Sequence, residues 1–374
     1  MRTIKNLKEY IPGKSIPEIA LEYGLKEDLI IKLGSNENPL GSPIKVLEKL
    51  KDFCKDDEGK ILKILSTYPD SLGQSLVKAL KSTFTEIGQA EVIVGNGMDN
   101  ILECLSRLLI EPGSKTIIHT PTFEYYEMVT RWMHAEPIFV RTSTENNFEL
   151  DLDEYLSKLS PEVKIAFLCS PNNPTGNTLD WSSIEKIILK AKETGTYVFL
   201  DEAYAEYSGS THIDKVQKYN NLIIGRTFSK VYALAGLRVG WGVIPQTLLK
   251  NYRKIQTPFN LNRLSLISAI EALQQQDFIK ESIEFNERGK IYLHDNLSKL
   301  GFKVFDTKAN FLAFLAGKRF QNKAAELCQY LLTQGIILRN ASYFRDASED
   351  LVRITVGTSE QNSKIIKTLS DLKT

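Results

Sequence analysis

The 374-residue sequence is poor in cysteine, with only Cys54, Cys104, Cys169 and Cys328, and none of them forms a CxxC pair. That scatter excludes a disulfide framework and a Cys-rich zinc site, and it predicts reduced thiols in a cytoplasmic protein. Histidine is equally sparse: His119, His134, His212 and His294 show no metal-ligand spacing, so no metal is expected. Charge of one sign is missing too. Forty-seven basic residues balance 46 acidic ones to a net +1, without the basic excess that nucleic-acid binding leaves in a composition. No apolar run approaches the roughly 20 residues that span a membrane, and the opening MRTIKNLKEYIPGKS lacks the apolar centre of a secretory signal. A soluble, unexported protein without nucleic-acid or membrane partners is expected. Internal repeats and low-complexity linkers are also absent. What is present is a 42% hydrophobic content in a chain longer than one core fills, which predicts two packed units.

The stretch Leu222 to Gly242 organises the rest. An apolar run reads as a strand, ends in the small-hydroxyl turn Thr227-Phe228-Ser229, and delivers Lys230, with Arg238 following among glycines. A lysine so placed is a candidate Schiff-base nucleophile. Its amine, of ordinary pKa about 10.4, must be held deprotonated to attack a carbonyl, which burial beside Arg238 favours.

Upstream, strands and helices alternate. Val92-Ile93-Val94 precedes the Gly95-Asn96-Gly97-Met98-Asp99-Asn100 turn and an apolar helix, the arrangement that aims backbone N–H groups at an anion. Strands at residues 116–118, 137–140, 165–169 and 197–202 follow, with helices around 124–133 and 181–193. This β-α alternation predicts an α/β fold with a largely parallel sheet covered by helices. Asp99, Phe123, Asn173, Asp201 and Lys230 all fall at or just past the carboxyl end of a strand, where such sheets gather their ligand groups. The polar loop Gly34-Ser-Asn-Glu-Asn-Pro-Leu-Gly41 is a further candidate to face a ligand. Past Pro258 a helical tract over 263–299, then short strands at 302–305, 311–315, 335–339 and 352–357, predict a smaller α+β unit. The expected division is an arm at 1–35 too interrupted by Pro12, Gly13, Pro17 and Gly24 to fold alone, a large domain at 36–262, and a small one at 263–374.

Taken together, Asn173-Pro-Thr-Gly, Asp201-Glu-Ala-Tyr204, Thr227-Phe-Ser-Lys230 and Gly236-Leu-Arg238, in this order and spacing, resemble the pyridoxal-phosphate aminotransferases of fold type I over nearly the whole chain. Tyr10-Ile-Pro-Gly-Lys, the Gly34–Gly41 loop, Tyr68-Pro-Asp, Ser170-Pro-Asn-Asn-Pro-Thr-Gly, Pro258-Phe-Asn-Leu-Asn and Leu351-Val-Arg-Ile-Thr-Val-Gly-Thr resemble the histidinol-phosphate aminotransferases among them. The resemblance implies pyridoxal 5′-phosphate as cofactor. It gives Lys230 the Schiff base and the proton transfer, Asp201 the pyridinium nitrogen, and Tyr204 and Asn173 the phenolic oxygen. Phe123, where relatives often have tyrosine, would stack on the ring. Gly97, Met98, Asp99, Thr227, Ser229 and Arg238 would hold the phosphate, joined by Tyr68 from a neighbouring subunit in a homodimer with shared sites. Relatives commonly carry a small residue and an acidic one where this chain has Met98 and Asn100.

For substrates the resemblance implies an amino phosphate exchanging with glutamate and 2-oxoglutarate. Arg353, assisted by Asn173, would take the donor's α-carboxylate, and Tyr10, Asn36 and Arg339 would form the second anion pocket. Three other readings remain: an aromatic-amino-acid aminotransferase sharing the same core, a threonine-phosphate decarboxylase-like lyase, and a cofactor-binding regulator on the same fold.

Overall fold

The computed structural model describes residues 15–55 and 57–371. In chain order the strands are β1 (Ile31–Lys32), β2 (Glu91–Asn96), β3 (Lys115–Thr120), β4 (Glu136–Arg141), β5 (Val163–Cys169), β6 (Tyr197–Asp201), β7 (Leu222–Thr227), β8 (Val239–Ile244), β9 (Phe311–Leu315), β10 (Ile336–Ile337), β11 (Arg339–Asn340) and β12 (Leu351–Thr355). Seven of them form one sheet in the order β2-β8-β7-β6-β5-β3-β4. All neighbours are parallel except β8, which is antiparallel to both β2 and β7. The expected α/β architecture is therefore present, with one strand that the glycine-broken sequence Val-Gly-Trp-Gly-Val-Ile did not announce.

Strands β5 to β8 are almost wholly buried, which is why they read as continuous apolar runs rather than as alternating ones. The flanking helices carry their own end signals. Trp181–Thr194 starts where the Asp180 carboxylate accepts the Ser183 N–H at 3.0 Å and stops at Gly195 in the left-handed region.

Register fixes the site. Cys169 of β5 lies beside Asp201 of β6, Asp201 beside Gly225 of β7, Thr227 opposite Gly240 of β8, and Gly240 opposite Gly95 of β2. All of these lie at one edge of the sheet. The second core gathers Leu293, Leu297, Leu312, Phe314, Leu331 and Ile354 with Ile31 and Leu33. Strand β1 pairs in parallel with β10, so Ile31 and Lys32 lie with this second core before the chain crosses to the large sheet.

Several local expectations change. The segment at 16–23 is a helix, because Ser15 and Glu18 form a reciprocal capping box and Pro17 sits in the first turn, where its missing N–H is harmless. Glu58–Ser66, for which no element was expected, is also a helix, capped by Asp57 accepting the Lys60 N–H at 3.0 Å. The tract 263–299 is two helices, Arg263–Leu273 and Gln276–Lys299. Of 302–305 only Val304 makes a bridge, to Phe314.

Candidate functional site

At the carboxyl edge of the large sheet lies a cavity of about 390 Å³, within the size range of small-molecule pockets. Met98, Asp99, Phe123, Asn173, Asp201, Tyr204, Thr227, Ser229, Lys230 and Arg238 all line it, together with Ser35, Glu37, Cys169, Ala203, Ala235 and Gly236. A larger cleft of about 1060 Å³ runs between the 147–183 loops and the 287–308 segment, but it holds none of the predicted residues. Among the described residues no cluster of histidine, cysteine or carboxylate side chains is placed to hold a metal.

One end of the cavity is built for an anion. The helix Gly97–Leu109 starts here without a side-chain cap, so its first turn leaves the N–H groups of Met98 and Asp99 without helical acceptors. Arg238, itself in the left-handed region, reaches Ser229 Oγ at 3.3 Å and Asp99 Oδ2 at 3.0 Å. The Ser229 N–H donates to Thr227 Oγ1 at 3.0 Å. Glycine is required at two points of this wall. A Cβ on Gly97, at φ +76°, would lie 2.6 Å from Arg238 Nη2, and one on Gly240 would lie 2.2 Å from the Met98 backbone nitrogen.

The floor is Asp201. Its side chain is buried, it accepts the Ala203 N–H at 2.9 Å and a short hydrogen bond from the Tyr126 hydroxyl, and burial pushes its pKa up to about 6. Tyr126 was not foreseen; its only signal is a place one helical turn beyond Phe123. It stacks on Phe167 with centroids 5.0 Å apart and meets Phe123 edge-on at 5.7 Å, so the aromatic wall and the carboxylate are fixed as one unit. Cys169, whose buried thiol is held protonated by desolvation, was missed as well, having ended an apolar strand without any polar signal.

Lys230 lines the cavity half-buried, its amine surrounded by protein: Nζ is 3.4 Å from the Ser35 carbonyl oxygen and 5.6 Å from the Tyr204 ring centre. Desolvation first, and then the Arg353 guanidinium, bring its pKa down to about 8, while Glu37 opposes the fall. Arg238, the expected cause, contributes less than Arg353.

Tyr204 accepts from Asn36 Nδ2 at 2.9 Å, and burial holds its hydroxyl protonated. Asn36, at φ +55°, is pinned in turn: its N–H donates to Thr355 Oγ1 at 2.9 Å and its carbonyl accepts from Asn310 Nδ2 at 3.1 Å. Arg353 is buried, donates to Asn173 Oδ1 and to the Gly34 carbonyl, and lies over the Phe311 ring.

Other predicted residues stand apart. Arg339 is paired in register with Arg353 across β11 and β12 and lies over the Phe344 ring, but it does not line the cavity. Tyr68 is 78% exposed and stacks on Phe259 with centroids 4.3 Å apart, away from the cavity of its own chain. Tyr10 lies outside the described residues.

Residues 28–369 match the aminotransferase class I and II family. The histidinol-phosphate aminotransferase of Methanosarcina barkeri is 41% identical over 373 residues, covering 100% of this chain and 96% of the relative. That of Methanococcoides burtonii is 40% identical over 370 residues, covering 99% and 97%. The crystal structure of histidinol-phosphate aminotransferase from Sinorhizobium meliloti in complex with pyridoxal-5'-phosphate superposes with a TM-score of 0.82 at 22% identity, covering 97% of this chain and 96% of that one. Matched from end to end by such relatives, the chain belongs to the class I and II aminotransferases.

Proposed function

We propose that this chain is a pyridoxal-phosphate-dependent aminotransferase that interconverts L-histidinol phosphate plus 2-oxoglutarate with imidazole-acetol phosphate plus L-glutamate, in histidine biosynthesis. The observation that carries the reading is one cavity in which Lys230, a buried carboxylate and an anion cradle face one another, in a chain whose full-length relatives are histidinol-phosphate aminotransferases.

The residues fit the cofactor. Asp201 is buried as a carboxylate with two hydrogen-bond donors but without an arginine or lysine in ion-pair contact among the described residues, which suits a ring N–H⁺ as its missing partner. The uncapped helix start, Thr227, Ser229 and Arg238 suit the phosphate. When bound, pyridoxal phosphate supplies the carbonyl that captures the amino group and the ring that acidifies the carbon bearing it. Phe123 would cover one face of that ring, and the Tyr204 hydroxyl and Asn173 would hold its phenolic oxygen.

In this reading Lys230 acts twice, first as the nucleophile that holds the cofactor, then as the base that moves the proton at the amine-bearing carbon. An amine titrating near 8 can do both at neutral pH, since a useful fraction is free of its proton. Arg353, oriented by its bonds to Asn173 and Gly34, would bind the donor carboxylate. Arg339, with Tyr10 and Asn36, would complete the second anion pocket, taking either the substrate phosphate or glutamate's distal carboxylate.

A homodimer is part of the proposal. Ile44, Leu47, Leu62, Leu65, Tyr68, Phe259 and Leu264 are large apolar side chains left exposed on neighbouring elements around the Tyr68–Phe259 stack. Such a face suits a second copy, and would let Tyr68 reach the neighbour's phosphate. The cytoplasm is the proposed compartment, supported by four free thiols. No helix among the described residues is long and apolar enough to cross a membrane.

Single-turnover absorbance on cofactor-loaded protein tests the reading, with L-histidinol phosphate, phenylalanine and threonine phosphate offered separately. The cofactor band should be lost fastest with L-histidinol phosphate and restored by 2-oxoglutarate. Faster loss with phenylalanine would replace the substrate, carbon dioxide from threonine phosphate would replace the reaction, and full turnover by Lys230→Ala would remove the mechanism.

A further inference from the structure

We propose that Glu37 recognises the imidazole ring of the amino phosphate substrate, its carboxylate accepting a hydrogen bond from a ring N–H. The inference rests on the function proposed above, whose substrate presents three handles. The phosphate suits arginine and the amine is handled at Lys230, but the ring has so far no partner. It is a planar donor, and cationic when protonated, so it calls for an anionic acceptor at the cavity wall.

Three carboxylates border the cavity: Glu37, Asp99 and Asp201. Asp201 lies buried in the floor, with both oxygens already accepting. Asp99 is ion-paired to Arg238 at 3.0 Å in the anion cradle. Glu37 alone sits at the mouth, 47% exposed, on the loop whose Ser35 carbonyl receives Lys230 Nζ. Its Oε1 accepts from Lys32 Nζ at 2.9 Å, which leaves Oε2 for a ligand.

The loop is held rigid on both sides of this residue. Asn36 is tied to Thr355, Asn310 and Tyr204, while Asn38 Nδ2 donates to the Val231 carbonyl at 3.1 Å and to Ser282 Oγ at 2.9 Å. An acceptor between two such anchors meets its ligand without first having to be ordered, which conserves binding free energy. The other substrate, glutamate, has no donor ring and carries two carboxylates that a third anion repels. Glu37 therefore separates the two substrates of one pocket by charge.

The experiment uses the holoenzyme and its Glu37→Gln variant, which keeps the side-chain volume and removes the charge. In single-turnover kinetics the half-saturating L-histidinol phosphate concentration should rise roughly tenfold, as for loss of a charge-assisted hydrogen bond. Compared well above pH 8, where the Lys230 amine is free of its proton with or without the Glu37 charge, the limiting rate should stay within about twofold, the pattern of lost uniform binding. Half-saturation by L-glutamate, and by 2-aminopropyl phosphate, which lacks the ring, should not rise. A readout independent of turnover is calorimetric binding of L-histidinol phosphate to Lys230→Ala and to Lys230→Ala/Glu37→Gln, where the same roughly tenfold difference is expected.

An equal loss for glutamate or the ringless phosphate would make Glu37 merely structural, and an unchanged L-histidinol phosphate response would overturn the proposal. Should the glutamine variant fail to fold, Lys32→Met frees the carboxylate and should tighten L-histidinol phosphate alone; weaker binding there overturns the proposal too. If the parent enzyme never reacts with L-histidinol phosphate but does with another amine, the substrate reading fails and Glu37's role falls with it. That outcome is read from the parent alone, before any variant.

Discussion

Lys230 sits between opposing fields: burial and the Arg353 guanidinium favour the neutral amine, and the Glu37 carboxylate favours the ammonium. The sign of the first pair prevails, so the folded pKa, about 8, lies below that of an exposed lysine. Cofactor uptake by the cofactor-free protein should therefore rise with pH through about 8 and level off above it. Replacing Arg353 by methionine removes a cation and should move that inflection upward; stopped-flow uptake across pH 6.5–10 checks it, and an unmoved midpoint would sink the assignment of cause. For stability the sign is the reverse of a paired lysine's. The unfolded chain holds the proton to higher pH, so this group costs stability below about 8 and the cost disappears as pH rises toward its unfolded value. At this scale Lys230 and Asp201 were legible from the sequence, because Asp201 closes an apolar strand with a charged group and Lys230 follows another across a small-hydroxyl turn. Tyr126 and Glu37 were not singled out: one lies in the first turn of a helix, the other in a loop, and neither position announces what it will touch.

Backbone meets backbone closely at Gly240 of β8. Gly240 packs against the backbone that opens the helix Gly97–Leu109, where an added Cβ would lie 2.2 Å from the Met98 nitrogen and 2.4 Å from the Gly97 carbonyl carbon. Backbone cannot swing aside as a side chain can. Gly240→Ala should therefore destabilise by about 1–3 kcal/mol, as overpacking of a buried site does, measured by urea unfolding, and should weaken cofactor binding because the anion cradle is the part displaced. A variant of parental stability with parental cofactor affinity would refute the contact. Strands β5, β6 and β7 were readable since burial on both faces leaves continuous apolar runs, whereas β8 was hidden by the glycines that let it approach the helix. The helix Glu58–Ser66 was missed for a different reason. Its Leu62 and Leu65 are exposed, so they make no core-facing pattern with the rest of the chain.

Those same residues matter for the whole molecule. An apolar face spanning Ile44, Leu62, Leu65 and Tyr68 is poorly suited to water, and Leu65→Asp, which plants a charge in it, should shift a dimer toward monomer in light scattering at micromolar concentration. If Tyr68 serves the neighbouring site, that variant should also lose cofactor affinity although Leu65 lines no part of the cavity. A monomeric parent with full cofactor loading would end the shared-site reading.

The sequence by itself determined the alternation of strands and helices, and with it a sheet whose carboxyl edge carries Asp99, Phe123, Asn173, Asp201 and Lys230. Local periodicity and turn chemistry suffice for that much. Only the tertiary structure decided that Arg353, 123 residues beyond Lys230 in the chain, lowers that amine's pKa, and that Tyr126 pins Asp201. It also set Ser35 and Glu37 in the wall of the cavity that holds the anion cradle. These pairings depend on strand register and on β12 folding back against the Gly34–Asn36 segment, and electric fields and hydrogen bonds follow distance through space, which the order of residues along the chain does not give.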